Sequence, residues 1–162
     1  MGTIKSMLFL SAILVLIMSS AAIASRTAPL VNYENVEING QSGKILSLDD
    51  ISKAVTIAAV EKNWKLSDVK PGQAKATLVV RNKHTITVEI TYTEKTLSIK
   101  YKDSINMNYD PAYKDYSSNK NEVGSPAYGS ATTNVYEVIH PNYNLWVGNL
   151  LKAVQHELLR MK

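Results

Sequence analysis

Three histidines, nine tyrosines and no cysteine set what chemistry this chain can attempt. His140 stands in the string Ile139-His140-Pro141-Asn142-Tyr143-Asn144-Leu145-Trp146. An imidazole beside a carboxylate can move a proton near neutral pH. Asp103, with Tyr101, would be its partner if a strand end meets the start of a terminal helix. The plainer role for His140 is structural, as a hydrogen-bonding group for a loop carboxylate or the backbone. His84 and His156 are isolated, and no His-x-x-His pair or thiolate is present, so neither a metal nor a cofactor is expected. Gly-x-Ser-x-Gly and phosphate-cradling glycine loops are missing as well. Asp49 and Asp50 need no catalytic role, because acidic residues in a first helical turn favour the helix dipole.

The tyrosines are stronger candidates than the titratable groups. Five of them, Tyr109, Tyr113, Tyr116, Tyr128 and Tyr136, crowd one segment rich in Asn, Ser, Gly and Pro. Tyrosine offers a broad flat surface at low entropic cost, with a polar tip. Interleaved with Lys114 and Lys120, such a segment can grip a protein, peptide or glycan; equally, its aromatics can fold back over a sheet edge. The candidate binding residues are therefore Tyr109, Tyr113, Tyr116, Tyr128, Asp103, His140 and Tyr143.

The elements that must position them are legible from periodicity. Ser47 with Asp50 three residues on is a capping-box pattern, and Ile51, Val55, Ala58 and Ala59 follow at helical spacing, which predicts a helix over 48–63. The period then falls to two. Ala74, Ala76, Leu78 and Val80 alternate with polar residues, as do Ile86, Val88, Ile90 and Tyr92, and then Leu97, Ile99 and Tyr101. Short turns at Asn82-Lys83 and Thr93-Glu94-Lys95 make this a meander of hairpins, joined by a shorter strand from Trp64 to Val69. The segment 104–136 breaks every period and reads as a Tyr-rich loop insertion. A final helix over 142–159 carries Trp146, Val147, Leu150, Leu151, Val154 and Leu158 on one stripe, with Asn142 or Asn144 as its cap and Glu157 facing water. One apolar sheet face and two apolar helix stripes predict an α+β fold: an antiparallel sheet of three to five strands with the N- and C-terminal helices packed on one face.

Upstream, Lys5, the apolar run Met7 to Met18 and the small residues ending at Ala24 have the order of an export signal, so residues 1–24 are expected to be a cleaved leader. The run is shorter than the roughly 20 residues of a membrane span, so no stable span is expected after cleavage. Residues 25–43 read as a flexible leader that adds at most a short edge strand, and 44–162 as one domain. A formal charge of +4, from 18 basic and 14 acidic residues, excludes the dense basic stripe of a nucleic-acid binder.

The string Ser98-Ile99-Lys100-Tyr101-Lys102-Asp103-Ser104, taken with Ile139 to Trp146, resembles a family of small, uncharacterised proteobacterial envelope proteins. In that family a strand S-I-x-Y-x-D-S leads to I-H-P-N-Y-N-x-W and a terminal helix. The similarity covers about 44–109 and 138–154. It implies an envelope location and no particular reaction. Members are often lipid-anchored through a cysteine that this chain lacks, and their join between the two motifs is shorter than the Tyr-rich insertion here.

Together these features predict a periplasmic or secreted, non-enzymatic binding or structural module of the cell envelope. The alternative is a small envelope enzyme using His140 with Asp103.

Overall fold

A computed structural model of the chain describes residues 26–40, 43, 45–115 and 134–161. The expected export leader, Tyr116 and Tyr128 lie outside them. The elements run β1 (Ala28–Pro29), β2 (Tyr33–Glu37), α1 (Leu48–Glu61), β3 (Lys65–Lys70), β4 (Gln73–Val80), β5 (His84–Tyr92), β6 (Thr96–Ile105), β7 (Asp110–Asp115), β8 (Asn134–Ile139) and α2 (Asn142–Arg160). A five-stranded antiparallel sheet has the order β2-β6-β5-β4-β3, and a three-stranded one the order β1-β8-β7. This is the expected α+β class, with a second sheet that periodicity did not announce.

Local chemistry accounts for the boundaries. At the start of α1 the Asp50 amide donates to Ser47 Oγ at 3.2 Å, and the Ser47 hydroxyl donates to the Asp50 carboxylate at 2.7 Å. The helix ends in a left-handed Asn63 (φ +61°), with Trp64 N donating to Ala59 O and Asn63 N to Val60 O. That double closure is a Schellman motif, and it turns Trp64 into the core. The β3–β4 turn places Pro71 before Gly72, whose φ of +77° suits the third position of a type II turn. A side chain on Gly72 would also meet the Tyr92 carbonyl at 3.1 Å. In the β4–β5 turn Arg81 and Asn82 both take positive φ, giving the strand-compatible twist of a I′ turn.

Alternation then decides the layers. Ala76, Val88, Ile90 and Ile99 are buried from one side of the large sheet, in one cluster with Ile51, Val55 and Ala58 of α1 and Val147, Leu150 and Val154 of α2. The two helices pack against each other. On the opposite face Thr77 and Thr87 hydroxyls meet at 3.1 Å, Lys75 pairs with Asp68 and Lys100 with Glu34.

Three local expectations need correction. In the stretch 25–43, β2 is the expected short edge strand beside β6, but the segment before it is not free: it forms β1, and Asn144 of α2 clamps it, accepting from Val31 N at 3.1 Å and donating to Pro29 O at 2.9 Å. The expected loop 104–136 begins with the end of β6 and supplies β7 and β8. Glu157 does not face water; it is buried, with its carboxylate 3.1 Å from the Arg160 guanidinium.

Candidate functional site

The site begins with a bulge. Along β5–β6, Asp103 faces Thr87 while Tyr101 faces Val88, which leaves Lys102 as an extra residue. A bulge of this kind re-aims side chains. Just beyond, Asn106 (φ +58°) and Asn108 (φ +50°) take left-handed conformations on either side of the buried Met107. Asparagine tolerates that region better than most residues. Met107 O accepts the His140 amide at 2.7 Å, so this turn is tied to the start of α2. The redirected chain opens a cleft of about 780 Å³ lined by residues 100–104, residues 106–109, Asn32 and Glu137.

Its aromatic wall is built in layers. Tyr143 of α2 is fully buried, and its ring meets Tyr101 edge-on with centroids 5.7 Å apart. Tyr109 stacks on Tyr101 at 4.3 Å. The Tyr109 hydroxyl donates to Glu137 Oε1 at 2.9 Å, and the Tyr101 and Ser104 hydroxyls lie 3.0 Å apart. Burial raises all three phenol pKa values, since desolvation disfavours phenolate. For Tyr109, desolvation and the Glu137 carboxylate push it up to about 12; Tyr101 and Tyr143 are also raised, chiefly by burial. All three are neutral phenols at physiological pH, and Tyr101 and Tyr109 are hydrogen-bonded through their hydroxyls.

His140 has a different job. Its Nδ1 accepts the Asn142 amide at 3.2 Å, and its carbonyl accepts from Tyr143 N at 2.9 Å. It thus satisfies one of the orphan donors at the head of α2, the role expected of Asn142 or Asn144. Asp103 Oδ1 accepts from Ser104 N at 2.8 Å. No hydrogen bond or ion pair joins Asp103 to His140 among the described residues. The nearest aromatic partner of His140 is His84, with ring centroids 6.2 Å apart, and His84 Nδ1 is bonded to Asn106 O at 2.8 Å. Among the described residues no group of three or more His, Asp or Glu side chains could hold a metal ion.

Comparison with family models, curated proteins and solved structures yields no match. The site therefore rests on its own geometry.

Of the residues singled out from the sequence, the structure brings Asp103 and Tyr109 into the cleft and places Tyr143 beneath it, in the core. Tyr113 lies apart, across from Tyr136 on the β7–β8 pair with ring centroids 5.7 Å apart. Glu137, Asn106 and Asn108 were missed, and Lys102 was read only as part of the strand string Ser98 to Ser104. Glu137 precedes His140 by three, a spacing that would put both on one face of a helix but not of a strand. Asn106-Met107-Asn108, two left-handed formers around one apolar residue, was the readable signal for a tight turn after a strand.

Proposed function

We propose that the protein is an exported, non-enzymatic binding module of the cell envelope, periplasmic or secreted, whose ligand occupies the cleft at the end of β6. The observation that carries the binding half is a fixed aromatic ring, Tyr109, stacked on Tyr101 and lining a cleft in which the Lys102 and Asn108 side chains have no partner among the described residues. A side chain stacked on one face and hydrogen-bonded at its tip loses little freedom when a ligand arrives, which is how preorganised sites gain affinity. The envelope half rests on the sequence of residues 1–24 and on the resemblance of the two motifs. Among the described residues no helix is long and apolar enough to cross a membrane. Among the described residues His140 and Asp103 share no hydrogen bond or ion pair, so the enzymatic alternative draws no support from that pair.

Two experiments test the halves separately. An alkaline phosphatase fused to the C-terminus, active only outside the cytoplasm, is expected to be active, and to be silenced by deleting Met7 to Met18. Activity unaffected by that deletion would reject export by this leader. The immobilised protein is expected to retain material from an envelope fraction, with retention lost in Tyr109→Ala and Asp103→Asn variants that keep the wild-type circular dichroism. Equal retention by both variants would reject the cleft.

A further inference from the structure

Resting on the binding-module reading, we infer that the cleft is a saccharide site whose platform is the outer face of the Tyr109 ring. The platform is rigid. One face of Tyr109 is covered by Tyr101 at 4.3 Å, Tyr101 is backed by the buried Tyr143, and Glu137 fixes the Tyr109 hydroxyl at 2.9 Å. The partly exposed Tyr109 ring lines the cleft. An aromatic face carries partial negative charge, so it attracts the polarised C–H groups that a pyranose presents along one side.

The unused polar groups match the rest of a sugar. Within the cleft, the Lys102 ammonium, the Asn108 amide and the second carboxylate oxygens of Asp103 and Glu137 have no hydrogen-bond partner among the described residues. They provide both donors and acceptors, as vicinal hydroxyls require. The lining charges balance, Lys100 and Lys102 against Asp103 and Glu137, and Lys100 is already engaged by Glu34 at 2.9 Å. A balanced site gives little advantage to a phosphate or a polyanion, whose recognition calls for concentrated positive charge. A peptide would ask for apolar pockets for alternate side chains, and Met107, the aliphatic member of the lining, is buried. A volume of about 780 Å³ falls within the roughly 300–1,000 Å³ of small-ligand sites, room for a few sugar units.

The test titrates the full-length protein with neutral oligosaccharides, namely tetramers of β-1,4-linked N-acetylglucosamine, of glucose and of galactose, beside an uncharged tetrapeptide. Binding is read by calorimetry and by ring resonances of labelled tyrosine. At least one saccharide is expected to bind saturably and to shift the Tyr109 signals. Tyr109→Ala is expected to weaken it about tenfold or more, the loss of a stacked ring being worth about 1.4 kcal/mol or more. Asp103→Asn is expected to weaken binding without altering circular dichroism. No saccharide binding, or binding indifferent to Tyr109→Ala and Asp103→Asn, overturns the inference. Tetrapeptide binding in the cleft without saccharide binding overturns it too, while leaving the binding-module reading standing. Failure to retain any envelope material would overturn both.

Discussion

Tyr143 offers a sharp test of how the aromatic layers are packed. Its ring is fully buried, and its hydroxyl finds no hydrogen-bond partner among the described residues. A buried, unsatisfied polar group costs about 1–3 kcal/mol of desolvation. Tyr143→Phe removes that group and keeps the ring, its edge-on contact with Tyr101 and the apolar environment. The small void left by the oxygen takes back a fraction of the gain. The variant is therefore expected to be more stable by about 1 kcal/mol, a rise in Tm of roughly 3 °C for a domain of this size. Urea unfolding followed by circular dichroism, with the midpoint compared at constant slope, gives the free energy directly. A loss of 1 kcal/mol or more would refute the reasoning, because only a hydroxyl with a real partner could be missed that much.

Further expectations follow from the same geometry. His140→Ala is expected to lower unfolding stability by about 0.5–2 kcal/mol, and His140→Asn or His140→Asp to recover most of it, since both are strong helix caps; equal losses in all three variants would deny the capping role. Gly72→Ala is expected to cost about 1–2 kcal/mol in the same assay, because its positive φ and the Tyr92 carbonyl at 3.1 Å both oppose a side chain. Tyr109 ties stability to alkaline pH. Its folded pKa of about 12 lies above the ordinary value of about 10, so the neutral phenol stabilises the fold fully below about pH 10, and this is lost as pH rises through about 12. Tyr109→Phe has no proton to lose, and its stability profile over that window is expected to be flatter than wild type; superimposable profiles would remove Tyr109 as a source.

What the sequence revealed divides along the range of the interactions concerned. The meander from β3 to β6 and both helices were visible because a two-residue or 3.6-residue repeat is a local signal that one covered face imposes on its own strand or helix. The small sheet was not visible in that way. β1 holds two residues, one of them Pro29, and pairs with Ile139 and Val138 at the far end of the chain. β7 contains Pro111 and pairs with a strand beginning at Asn134. Short strands of mixed polarity become strands through distant partners, not through their own propensity. Val135-Tyr136-Glu137-Val138-Ile139 is nonetheless rich in strand-forming types, and its strand could have been read.

The cleft was half legible for the same reason. Tyr109 and Asp103 drew attention by type, whereas Lys102 entered through a one-residue register step that no periodicity specifies. Glu137 entered through a hydrogen bond spanning 28 residues. His140 and Tyr143, singled out in the string Ile139 to Trp146, sit where α2 is started and anchored. Glu157 looked solvated because a helical wheel has no knowledge of what packs around the helix that carries it.

Placing a photoreactive benzophenone residue at Asn108, on the rim of the cleft, and at Thr56, an exposed position on α1, would test the central claim most directly. After irradiation with the envelope fraction, a covalent adduct is expected from position 108, absent from position 56, and suppressed when Tyr109→Ala is combined with the probe. An adduct of equal yield from both positions, or none from position 108 while the protein still retains envelope material, would contradict the assignment of the cleft as the binding site.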